Sequence, residues 1–150
     1  ILDANASAVN QVAIDNAATG ANPIVAAEGD DTNIGLTLTP KGTGLVLVGD
    51  SGSGSVVSGS ATINAQRGVI TTASLTTAAG TANVFDLVNN KIALNSQILA
   101  QAVGGGNTGG LPVVTRIDTN VAGSCTIHLL NATGGSSLNG TVDVSFIVLS

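Results

Sequence analysis

Short runs of period-two hydropathy, each stopped within a few residues by glycine, proline or a polar cluster, constrain this chain more than any other feature. In Asp31-Thr-Asn-Ile-Gly-Leu-Thr-Leu-Thr-Pro-Lys-Gly-Thr-Gly44, the apolar Ile34, Leu36 and Leu38 alternate with small or polar residues. That spacing predicts a half-buried strand over residues 33–39. Pro40 removes a backbone donor and stops the ladder, and Gly42 and Gly44 supply a turn. A second apolar run, 45–48, follows at once. A chain built this way folds back on itself repeatedly.

The same grammar runs through the rest of the sequence. Candidate strands fall at 11–15, 24–27, 61–65, 68–72, 83–88, 96–103, 112–118, 124–131 and 141–149, separated by turn-forming residues. No window sustains a helical period. The best helical stretch, 88–94, is weakened by Asn89 and Asn90. Near the C-terminus Val142, Val144, Phe146 and Val148 share one face, which makes them core candidates. The opposite face starts polar at Asp143 and Ser145 and turns apolar at Ile147 and Leu149, as in a sandwich or an interchain interface. The fold class expected is all-β. A small β-rich module occupies 1–50, a Gly/Ser linker 51–60, and an antiparallel β-sandwich of jelly-roll type 61–150.

Composition sharpens this reading. Of 150 residues 43% are hydrophobic, yet Phe85 and Phe146 are the only aromatics. Charged residues make up 9%, against about 25% in ordinary soluble domains. The core must therefore come from small aliphatic side chains, and the weakly charged surface suits burial between copies of the chain. An oligomer follows. A net charge of −5 with Lys41, Arg67, Lys91 and Arg116 scattered gives no basic patch for nucleic acid. No apolar run approaches the ~18 residues of a membrane span. The chain opens at Ile1 without a recognisable secretory leader, which reads as a processed or trimmed start.

Motifs for chemistry are weak. The run Gly104-Gly105-Gly106-Asn107-Thr108-Gly109-Gly110 matches a dinucleotide fingerprint in letters, but a strand rather than a helix follows it. It reads as an exposed loop tip. Lys41 lies among glycines without the spacing of a phosphate-binding loop. Cys125 is in phase with Ile127 and Leu129 and reads as a buried structural thiol, while His128 points to the opposite face. Glu28-Gly-Asp-Asp31 lacks the distal ligand of a calcium loop and reads as a solvated turn. The glycosylation acceptor patterns at Asn5, Asn131 and Asn139 are expected by chance in a chain this rich in Asn, Ser and Thr. No catalytic, cofactor-binding or metal-ligating set emerges.

Several segments together resemble a family. Asn16-Ala-Ala-Thr-Gly20, Asn22-Pro23, Asp31-Thr-Asn-Ile34 and Leu38-Thr-Pro-Lys-Gly-Thr-Gly44 are similar to a module of tailed-bacteriophage virion proteins, found in tail fibres, head fibres and decoration proteins. Leu75-Thr-Thr-Ala-Ala-Gly80, Leu111-Pro-Val-Val114 and Leu138-Asn-Gly-Thr-Val-Asp-Val-Ser-Phe146 resemble the ends of such proteins. The resemblance implies a homotrimeric, all-β, non-enzymatic virion component whose partners are its own copies and other capsid or virion proteins. It carries over no catalytic residues. The family's fibres usually carry an anchor domain and a stem, neither of which is visible here. That favours a capsid decoration or head-fibre protein on the capsid surface. The alternative is a receptor-binding tail-fibre tip that binds a host glycan or protein, with the 104–110 loop as its contact. A depolymerase would need paired acids in a groove with aromatic platforms, and the platforms are missing. Ile34, Leu36 and Leu38 are the candidates for packing near a threefold axis or on the capsid.

Overall fold

A computed structural model describes residues 7–149. The chain divides between Val46 and Leu47 into two compact units. Every regular element among the described residues is a β-strand, so the fold class is all-β. None of them forms a helix long and apolar enough to cross a membrane.

The first unit is a hairpin. β1 (Asn10–Asp15) pairs antiparallel with β2 (Ile24–Gly29), setting Val12 opposite Ala27 and Ile14 opposite Val25. The intervening loop turns at Gly20, whose φ of 89° a side chain would resist. Residues 33–39 and 45–48, expected as strands, form no ladder. Alternation records which side chains share a face. It does not supply the partner strand on which a ladder depends. Consequently Ile34 is half-buried and Leu36 and Leu38 are exposed.

The second unit is a two-sheet assembly. One sheet has the order β3 (Ser51–Ser55), β5 (Arg67–Thr71), β10 (Asp143–Leu149), β7 (Gln97–Gly104). The other runs β4 (Ser60–Thr62), β6 (Ala82–Val88), β9 (Ser124–Asn131), β8 (Pro112–Val121). Two expectations need correction. The Gly/Ser tract is not a linker, because Ser51–Ser55 is an edge strand. The sheets are mixed rather than antiparallel, since β3 runs parallel to β5 and β4 parallel to β6.

The first correction has a packing cause. The tract carries glycine on its inner face, so the strand can approach the other layer closely. A Cβ added to Gly52 or Gly54 would lie 2.9 Å from the Ile63 side chain. Low intrinsic strand preference is overridden by a contact that only a missing side chain permits. The 88–94 stretch is not helical; two tight turns lie over residues 89–96, closed by Ile92 N–H on Asn89 O and Ser96 N–H on Ala93 O, both at 3.0 Å.

The core is aliphatic. Ile70, Val144, Phe146 and Val148 come from one sheet and Phe85, Leu87, Cys125, Ile127 and Leu129 from the other. Val142 is fully buried just before β10, exchanging two 2.9 Å hydrogen bonds with Thr72. Four polar residues are buried among the described residues, Thr72, Asn89, Ser96 and Asn131, and three of them close the ends. Thr72 is the first. Asn89 donates to Ala65 O at 2.7 Å and accepts from Lys91 N–H at 2.9 Å. Asn131 joins three loops, donating to Thr77 O and Ser136 O and accepting from Leu111 N–H. No buried side-chain polar atom among the described residues lacks a partner, as a low-dielectric interior demands.

Close packing is severe at Gly68, where an added Cβ would sit 2.3 Å from Gly52 O and 2.9 Å from Phe146. We expect Gly68→Ala to destabilise the fold by about 1–3 kcal/mol in denaturant melts, the usual cost of overpacking. Gly134, with nothing within 4 Å of its virtual Cβ, is the control. Gly134→Ala should stay within roughly 0.5 kcal/mol.

Candidate functional site

Three surfaces of the described residues are candidates for contact, and each is built by the pleat. In the first unit, Val12, Ile14 and Val25 lie on one face of the β1–β2 hairpin. They are 57%, 75% and 55% exposed. A groove of about 300 Å³ separates part of this hairpin from residues 34–37. None of residues 7–46 is buried. Leu36, Leu38 and Leu45 add to the uncovered aliphatic surface.

The second surface is the outer face of the β3–β5–β10–β7 sheet. Register places Arg67, Ile147 and Leu99 in one row and Val69, Ser145 and Gln101 in the next. Leu99 is 61% exposed. A depression of about 550 Å³ opens beside Arg67, Leu99 and Ile147. Across from Asp143 stands Thr71, whose hydroxyl donates to the carboxylate at 2.7 Å.

The third is polar and lies on the outer face of the other sheet. The i, i+2 spacing of Arg116 and Asp118 sets both on that face, and register brings His128 opposite Arg116. Arg116 grips Asp118 through Nε at 2.8 Å and Nη2 at 2.6 Å, and His128 Nε2 lies 3.1 Å from the same carboxylate. Thr126 donates to Asp86 at 2.7 Å alongside. Arg116, with a lesser contribution from His128, holds the Asp118 carboxyl below the usual carboxylate range. This network ties β8 to β9 past the irregularity between Val114 and Arg116. The sequence offered its signal in the Arg116/Asp118 spacing, but strand pairing was needed to bring His128 to it.

The Gly104–Gly110 run is not a free tip. Gly106 N–H donates to Thr141 Oγ1 at 3.0 Å, and Thr108 N–H to Asn139 O at 2.8 Å. Asn139 N–H returns to Asn107 Oδ1 at 2.8 Å. Gly104, Gly105, Gly106 and Thr108 are exposed, while Asn107, Gly109 and Gly110 are half-buried. The glycines serve close approach: a Cβ on Gly105 would meet Thr141 O at 2.4 Å.

Chemistry is sparse at all three surfaces. Burial pushes the Cys125 thiol up to about 11, so it stays protonated near neutrality. Asn131 is fully buried, so its acceptor pattern presents no amide for modification. Among the described residues no three His, Cys, Asp or Glu side chains are grouped to hold a metal. Comparison of the chain with family models, curated proteins and solved structures finds no match.

The polar network has a definite pH sense. Asp118 is depressed when folded, so its contribution is complete above the unfolded value near 3.9 and is lost as pH falls through the lower folded value. We expect the NMR signals of Arg116 Nε–H and the His128 ring to shift in step with Asp118 below about pH 4. Asp118→Asn should abolish that step; a titration unchanged by the substitution would contradict the assignment.

Proposed function

We propose that this chain is a non-enzymatic structural component of a tailed-phage virion, a homotrimer that decorates the capsid as a cement or head-fibre protein. The observation that carries the reading is the uncovered first unit. It has aliphatic residues on an ordered hairpin and no buried residue among the described residues 7–46. A two-stranded hairpin alone is marginal in water. Its apolar face needs a cover, and copies of the same chain supply one with matching chemistry. The resemblance of residues 16–44 to virion modules gives the class of assembly and the threefold count. Ile34, Leu36 and Leu38 then pack against neighbouring copies or the capsid.

The tied-down 104–110 segment supports a capsid role over a receptor-binding tip, because the Gly106 and Thr108 N–H groups and the Asn107 side chain are bonded to residues 139–141. The low charge and the aliphatic outer surfaces suit a protein that works by covering and being covered.

Electron cryomicroscopy of the particle tests the location. Threefold densities on the capsid shell are expected; density confined to the tail would overturn the proposal. At the level of residues, Ile14→Asp removes an aliphatic contact worth roughly 1.5–3 kcal/mol. It should weaken trimer formation and capsid binding by at least tenfold, while the melting transition of the second unit is unchanged.

A further inference from the structure

The outer face of the β3–β5–β10–β7 sheet differs from its counterpart in its arginine. On the opposite sheet Arg116 is paired with Asp118 and Asp118 with His128, while Asp86 has the Thr126 hydroxyl. Here Arg67 makes no ion pair with any described residue, and Asp143 has only the Thr71 hydroxyl. Between them lies the uncharged row Val69, Ser145 and Gln101.

Their positions follow a simple geometry. Arg67 pairs with Ile147 and Thr71 with Asp143, so the cation and the carboxylate sit on adjacent strands, four residues apart along the sheet. At about 3.3 Å per residue that is roughly 13 Å, with the Val69–Ser145 row halfway. A two-fold axis in the plane of the interface, crossing the strands at that row, reverses the strand direction. It carries Arg67 of one copy over Asp143 of the other, one strand spacing of about 4.8 Å aside, within reach of an arginine side chain. The same operation lays the exposed Val103 over the depression beside Leu99 and Ile147. An axis along the strands, two-fold or threefold, would instead set Arg67 against Arg67.

We infer that this face is a self-complementary interface on which two copies of the chain stack with strands reversed, each Arg67 pairing with its partner's Asp143. The occupant is a second copy, selected by the charge arrangement. Four strands about 4.8 Å apart and about seven residues long cover roughly 450 Å² per copy. A standard interface takes about 800 Å² per partner, so a single pairing is weak and concentration-dependent. Three pairings between two trimers would act together and close as a hexamer. The inference does not depend on the trimer.

Sedimentation of the full chain over a concentration series separates the two ideas. Two or six chain masses are expected at high concentration, and one or three alone would overturn the two-fold. Three or six masses hold the trimer, while one or two alone reject it. Arg67→Asp and Asp143→Arg should each raise the two-fold dissociation constant at least tenfold, through facing like charges. The double exchange, Arg67→Asp with Asp143→Arg, should restore it to within about threefold. Even-numbered assembly that ignores both single reversals, or a double exchange that fails to rescue while circular dichroism shows the native fold, would assign the pairing to another surface.

Discussion

The structure depends on what small aliphatic side chains can bury. With two phenylalanines in the whole chain, no residue reaches far across a layer, so the sheets must come close. Glycine makes that possible at Gly52, Gly54 and Gly68, where the missing Cβ lets Ile63, Phe146 and a neighbouring backbone move in. The core that results is dense but modest. It reaches only from Ala61 to Val148. Among the described residues, the large aliphatic side chains outside that span or on the outer faces are in contact with solvent.

Irregular connections need a different device, because their backbone groups have no ladder. Asn131, Asn89 and Thr72 supply it from buried positions. Each side chain stands in for a missing strand, and Asn131 alone gathers Thr77, Leu111 and Ser136. A buried amide is tolerated only when fully bonded, so these positions fix loop geometry as firmly as the apolar core fixes the sheets. The 104–110 run belongs to the same class of solution. It looks free in sequence because glycine is read as flexibility, whereas here it permits contact with Thr141 and Asn139.

Much of the fold was legible in the chain. Period-two alternation marks the β9 and β10 patterns, and it puts Cys125, Ile127 and Leu129 on one face and Val144, Phe146 and Val148 on another. Partner identity was not legible. Nothing local in Ser51–Ser55 announces a strand, since its ladder and its contacts with Ile63 come from residues distant in the chain. The reverse error occurred at 33–39, where a good pattern has no partner strand within the structure. Residues of the surfaces divide the same way. The Arg116/Asp118 pair follows from spacing, but its link to His128 and the Arg67/Asp143 arrangement require register.

The proposed assembly turns on whether the first unit is covered by other copies or by the surface it sits on. Amide hydrogen exchange across β1 and β2 in the full-length chain measures this directly, because protection there requires the hairpin to be covered. Self-association predicts slow exchange at Val12, Ile14, Val25 and Ala27 that grows slower as protein concentration rises. Exchange at the unprotected rate over the whole concentration range, with the second unit still protected, would contradict it.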